Sequence, residues 1–198
     1  PALAVNSSTG WKSLKDMVDG IKSMNGKLKV GISGKGSFTH LTSAALFAEL
    51  GVSNKVAYIS YGKGKAPVEL LAGRIDAAIQ WPGQFASYSQ AGELNVLAVT
   101  GDQRVSVLPN VKTAKEQGVN INIVMWRGLA APAGTPANVI SKLDNAAKAA
   151  IATKEFQDAA GKIGFTTAYL GAKDFGELIE SDDKFYGNLL KELGLSKK

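Results

Sequence analysis

The 198-residue chain is 45% hydrophobic and 20% charged, a balance that fits a folded protein with a sizeable core and excludes a disordered one. It has no cysteine and one histidine, His40, which rules out disulfides, thiolate metal sites and cysteine catalysis and argues against a histidine-rich metal centre. The formal net charge is +6, with Lys27, Lys29, Lys35, Lys55, Lys63, Lys65 and Arg74 opposed locally only by Glu49, Glu69 and Asp76. That favours anionic partners, but the cations are too dispersed and too poor in interleaved aromatics for nucleic acid.

Residues 1–5 have the length and apolarity of a short strand, and residues 6–10 read as a loop. Ser13 followed by Asp16 resembles a capping box, with aspartate in the glutamate place. Leu14, Met17, Val18 and Ile21 then mark one helical face, which Asn25-Gly26 closes. Residues 28–32 form an apolar strand run. Gly34, Lys35 and Gly36 follow, and a helix containing Leu41, Ala44, Leu46 and Phe47 ends at Leu50-Gly51. This strand, glycine turn and helix start can be read in two ways. It is either a plain connection capped by Ser37 or Thr39, or an anion site at unpaired helix N–H groups.

Residues 55–61 alternate as a strand and lead into a second glycine turn over residues 62–67. A short helix over 68–73, a buried strand over 75–79 and the corner Gln80-Trp81-Pro82-Gly83 come next. A helix over 84–92 and a strand over 94–100 complete an alternation that predicts a mostly parallel sheet covered by helices. Ligands of such sheets bind outside the carboxyl ends of the strands, where all three corners lie. Further on, residues 112–118 read as a short helix and 121–129 as a strand. Pro136 starts a long helix carrying Val139, Leu143, Ala146 and Ile151. A helix over 154–162, a strand over 165–170 and an amphipathic helix over 174–193 finish the chain.

Five of these pieces, in order, resemble the solute-binding receptors of tripartite tricarboxylate transporters, the Bug family. They are the run from Gly31 to Leu41; Tyr61 to Pro67 with Leu70–Gly73 and Ile75-Asp76; Gly92 to Thr100; Arg104 with Leu108 to Gly118; and Trp126 to Pro136. The resemblance implies an α/β, type II periplasmic-binding-protein-like fold with two lobes and mostly parallel sheets. It implies that residues 6–123 are the complete ligand-binding domain 2, while 1–5 and 124–198 are the C-terminal part of an incomplete domain 1. The family's N-terminal segment, with a loop that grips one end of the ligand, is expected to precede Pro1, and self-association of the shortened form follows as an expectation. Between Tyr61 and Leu70 the chain is one residue shorter than the family pattern.

The resemblance further implies a periplasmic receptor, not an enzyme. It would capture a small organic carboxylate (di- or tricarboxylate, or aromatic) between its domains and deliver it to membrane transporter subunits. The ligand-binding residues it implies are Gly34, Gly36, Ser37, Thr39 and His40 in the first corner, Tyr61, Gly62 and Gly64 in the second, and Trp81, Pro82 and Gly83 in the third. His40 has a structural alternative beside the helix start, and Trp81 one in the core. Asp76 reads as a helix cap or loop hydrogen-bonder and Trp126 as hinge packing. No cofactor is implied: Gly34-x-Gly36 lacks the third glycine of the dinucleotide fingerprint. The alternative is the effector-binding domain of a transcription regulator.

Overall fold

A five-stranded sheet of order β3-β2-β4-β1-β5 organises the first part of the chain in the computed structural model, which describes residues 1–62 and 64–196. Lys63, part of the basic neighbourhood noted above, lies outside the described residues. The strands are β1 (Ala2–Asn6), β2 (Leu28–Ile32), β3 (Val56–Ser60), β4 (Ala77–Gln80) and β5 (Leu94–Val99). β2 pairs parallel with β3 and β4, whereas β1 runs antiparallel to both β4 and β5. Four strands therefore share one direction and β1 opposes them, a mixed α/β architecture that is mostly parallel.

The chain divides into two compact units, Pro1–Val124 and Met125–Lys198. The assignment of residues 1–5 to the lobe formed by 124–198 is thereby corrected. Ala2 faces Gln80 on one side and Val99 on the other, so β1 is an interior strand of the first unit's sheet. The physical reason is burial: Ala2, Leu3, Ala4 and Val5 are all 0% exposed, and a strand covered on both faces needs backbone partners on both edges.

Alternation along β1 sends Leu3 and Val5 to one face and Ala2 and Ala4 to the other. Leu3 and Val5 pack with Met17, Ile21, Val30, Leu46 and Phe47, under helices α1 (Leu14–Ser23) and α2 (Phe38–Glu49). Ala2 and Ala4 pack with Ala66, Leu70, Ile75 and Phe85, under α3 (Ala66–Leu71) and α4 (Pro82–Gln90). At Gly31 of β2 a Cβ would stand 2.4 Å from Ile75 Cδ1 and 3.0 Å from Ala66 Cβ, so a larger residue would require Ile75 to shift.

Local signals explain the helix starts. Ser13 Oγ accepts the Asp16 N–H at 3.1 Å, and the Asp16 carboxylate accepts the Lys12 N–H at 2.9 Å, so the box closes one residue before the cap. α4 begins earlier than expected. Pro82 and Gly83 form its first turn, with Pro82 buried, because proline suits a first helical position whose N–H has no partner. For the same reason α3 takes in Pro67.

Two expected strands are absent among the described residues. Residues 121–129 carry β-prone side chains but gain only isolated bonds: Ile123 N–H donates to Thr100 O at 2.9 Å, and Ile121 and Ile123 drop into the core as coil. Residues 165–170 lie in the second unit, whose described elements are all helical, and a strand without a neighbour has no ladder to join. The expected helix over 112–118 reduces to a short 3₁₀ turn, Lys115–Gln117.

The second unit comprises α5 (Ala137–Ile151), α6 (Lys154–Lys162) and α7 (Ala172–Glu192). Trp126 is placed within it: its Nε1–H donates to Asp182 Oδ2 at 2.7 Å and its ring meets Phe175 edge-on at 4.9 Å. Val139, Leu143, Phe156, Ile179 and Phe185 are exposed.

Candidate functional site

Three loops leave the carboxyl ends of parallel strands β2, β3 and β4 at one edge of the first unit's sheet. The loop after β2 is the most elaborately bonded. Ser37 N–H donates to Gly34 O at 3.1 Å, closing a tight turn through Lys35 and Gly36. Gly36 has φ +76°, a conformation open to glycine and strained for other residues.

Ser37 is the N-cap of α2, its Oγ accepting the His40 N–H at 3.3 Å. Thr39 Oγ1 accepts the Ser33 N–H at 2.9 Å and lies 3.1 Å from Ser37 Oγ. That hydroxyl pair holds two protons and uses one between its members, so one O–H is left for an outside acceptor. His40 Nδ1 accepts the Gly36 N–H at 3.0 Å, and its ring meets Tyr58 edge-on at 4.6 Å. Burial, and secondarily the charge of Lys35, hold the imidazole below its usual pKa, so it is neutral at pH 7 with its proton on Nε2. Burial pushes the Tyr58 phenol up to about 12.

This wiring redistributes the expected ligand donors. The amides of Gly36 and Ser37 are engaged within the loop, by His40 and by Gly34 O. Among the described residues, the N–H groups of Gly34, Lys35 and Thr39 have no intrachain acceptor. They sit at the positive end of α2 with the exposed Lys35 ammonium alongside, an arrangement suited to a carboxylate.

The other corners contribute unequally. Tyr61 N–H donates to Ile32 O at 3.0 Å, tying the second loop to the end of β2, while its ring packs against the core cluster of Ala66 and Leu70. Gly62 and Gly64 are exposed, both with positive φ, and a Cβ on Gly64 would lie 3.6 Å from Gln84 Nε2. Trp81 precedes α4 half-buried and stacks on Phe38. Pro82 is buried and Gly83 exposed in the first turn of α4.

Ser33, Phe38, Ser60 and Gln80 also belong to this edge and were not anticipated as site residues. Gln80 is 1% exposed at the end of β4, and its Nε2–H donates to Ser33 Oγ at 3.2 Å. A glutamine closing an apolar strand is a signal that sequence reading could have used. Asp76 stands away from the loops and bonds locally, its Oδ2 accepting the Lys29 N–H at 2.7 Å. No group of acidic or histidine side chains capable of holding a metal occurs among the described residues.

The family model for the tripartite tricarboxylate transporter family receptor, TctC, matches residues 2–195. The chain belongs to that family. A Cupriavidus necator relative, the UPF0065 protein in the gbd 5' region, is 28% identical over 196 residues, covering 98% of this chain and 59% of the relative. A TctC solute-binding protein from Polaromonas, solved without ligand, superposes with a TM-score of 0.85 at 31% identity, covering 96% of this chain and 65% of that one. An R. palustris protein solved with adipate superposes with a TM-score of 0.79 at 24% identity, covering 98% of this chain and 64% of that one. The chain thus spans about three fifths of the length of the relatives it matches. The family is one of receptors rather than of enzymes, and these matches do not favour the transcription-regulator reading. No helix among the described residues is long and apolar enough to cross a membrane.

Proposed function

We propose that this chain is the ligand-recognition part of a periplasmic receptor for a small organic carboxylate, which it passes to membrane transporter subunits. The loop from Gly34 to Thr39 holds one carboxylate group. The N–H groups of Gly34, Lys35 and Thr39 and the spare hydroxyl proton of the Ser37–Thr39 pair donate to it, and Lys35 attracts it. The observation that carries this reading is the set of unpaired donors on the β2–α2 loop and the first turn of α2.

Each charge-assisted bond of this kind contributes about 1.5–3 kcal/mol, so the loop's donors favour a charged carboxylate over a neutral group. Tyr61, Gly62, Gly64, Trp81 and Gly83 form the surroundings in which the rest of the ligand lies. Family membership supports the receptor role, and the adipate seen in the R. palustris protein supports the ligand class. Transfer to the transporter fits the two-lobed closure common to such receptors.

A thermal-shift panel tests the reading, since a ligand of the native state raises the melting temperature. The panel holds aliphatic dicarboxylates, citrate, aromatic carboxylates, sugars and amines. Stabilisation confined to carboxylates is expected; stabilisation by sugars or amines with none by carboxylates would overturn it.

A further inference from the structure

The single histidine of the chain stands in the first turn of α2, just after the donor loop, and its ring bonds back to that loop. His40 is 5% exposed, its Nδ1 is occupied by the Gly36 N–H, and its ring edge is seated against Tyr58 of β3. Gly36 is the residue of the turn with positive φ. A peptide next to glycine reorients at low cost, because no Cβ obstructs the alternative conformations. A hydrogen bond to the Gly36 amide removes that freedom and holds the turn in one shape.

We infer that His40 is a positioning residue. As a neutral imidazole accepting from Gly36, it fixes the Gly34–Ser37 turn that carries the unpaired Gly34 and Lys35 amides, and it makes carboxylate capture weaken on acidification. The second half of this inference rests on the reading of the loop as a carboxylate site; the first half does not.

The charge environment agrees. The titratable groups facing the ring are Lys35 on its own turn and Tyr58 on β3, and no carboxylate is bonded to it among the described residues. Protonating Nδ1 would set two N–H groups against each other and place a cation near Lys35. The folded state therefore resists the proton. A group with a depressed folded pKa stabilises the native loop fully above its unfolded value, about 6.5, and loses that contribution as pH falls through the folded value. A histidine in direct contact with the ligand predicts the opposite sign, because an imidazolium would tighten an anion.

The test has two arms. Without ligand, a long-range proton–nitrogen correlation spectrum reads the one imidazole unambiguously. At pH 7 the neutral Nε2–H tautomer is expected, and an Nδ1–H tautomer or an imidazolium overturns the inference. In the same arm, Gly36 amide exchange is expected to be slow in the native protein and in His40→Asn, whose Oδ1 can replace Nδ1 as acceptor, and at least tenfold faster in His40→Leu. Equal exchange in all three overturns it.

With adipate as probe, the ratio of affinities between native protein and His40→Asn is followed from about pH 8 to about pH 5.5, which cancels the ligand's own ionisation. A fall of the ratio on acidification is expected, and a rise assigns His40 to ligand contact. Failure of adipate to bind either protein counts against the carboxylate reading while the ligand-free arm still decides the role of His40.

Discussion

The rings of Phe38 and Trp81 lie stacked, with centroids 5.9 Å apart and planes 12° from parallel. Phe38 is the first helical residue of α2 and Trp81 is the residue just before α4, so the pair bonds the first corner to the third. Aromatic pairs contribute about 0.5–1.5 kcal/mol beyond the area they bury. Trp81→Ala is expected to lower stability by roughly 1–3 kcal/mol in urea denaturation. It should also reduce affinity for aromatic carboxylates more than for aliphatic ones in a competition assay. An equal loss for both would remove the stack from the ligand's surroundings.

Ser37 has two jobs that separate on substitution. Ser37→Ala removes the cap on α2 and should cost about 1 kcal/mol of stability. It also removes one hydroxyl of the Ser37–Thr39 pair but leaves the Thr39 O–H able to donate, so affinity for a carboxylate should fall only a few-fold, and about tenfold or more only when Thr39→Val is added and the last hydroxyl donor is gone. Ser37→Thr keeps the capping oxygen and is expected to recover most of the stability. Paired denaturation and titration experiments check both effects.

Asp76 supplies the control. Its carboxylate accepts the Lys29 N–H while its own N–H donates to Lys29 O at 2.9 Å, a reciprocal link just before the β2–β4 pairing. Asp76→Ala leaves an amide unpaired and should cost roughly 1–3 kcal/mol. Carboxylate affinity in the folded variant is expected to stay within twofold of the native value. A large affinity loss would place Asp76 in the site.

How far was all this legible beforehand? The strand and helix alternation through residues 28–100 is written in apolar periodicity and glycine stops, and the sheet follows it. The partner of β1 is not written there: Ala-Leu-Ala-Val is apolar throughout and carries neither direction nor neighbour. Residues 121–129 look like a strand because β-propensity describes a fit to a pleated surface, and among the described residues their backbone reaches the sheet only at Thr100, just past the end of β5. In the site, Ser37 as a cap and the glycine turn were visible. The engagement of the Gly36 amide by His40 and of Ser33 by Thr39 was not, because those bonds depend on side-chain directions that spacing leaves open.

Acid sensitivity elsewhere has a distinct origin. Glu116 accepts from the Arg104 guanidinium and from the Thr113 N–H at 2.7 Å, while its own N–H donates to Thr113 Oγ1 at 3.0 Å, a closed capping box. The Arg104 bonds first, and then the Thr113 amide, hold the carboxyl down to about 2 from the usual 4.5. Its contribution is present in full above about 4.5 and is lost as pH falls through about 2. Glu116→Gln should lower the melting temperature at neutral pH and flatten its dependence on pH over that acid range. An unchanged profile would show the box to be dispensable.

Calorimetric titration of one carboxylate and its neutral methyl ester against the native protein reaches the central claim most directly. Donors on the Gly34–Thr39 loop bond strongly only to a charged acceptor. The acid is expected to bind and its ester to bind at least tenfold more weakly, with the difference shrinking in Ser37→Ala. Equal affinities for acid and ester would contradict the assignment of this loop as a carboxylate grip.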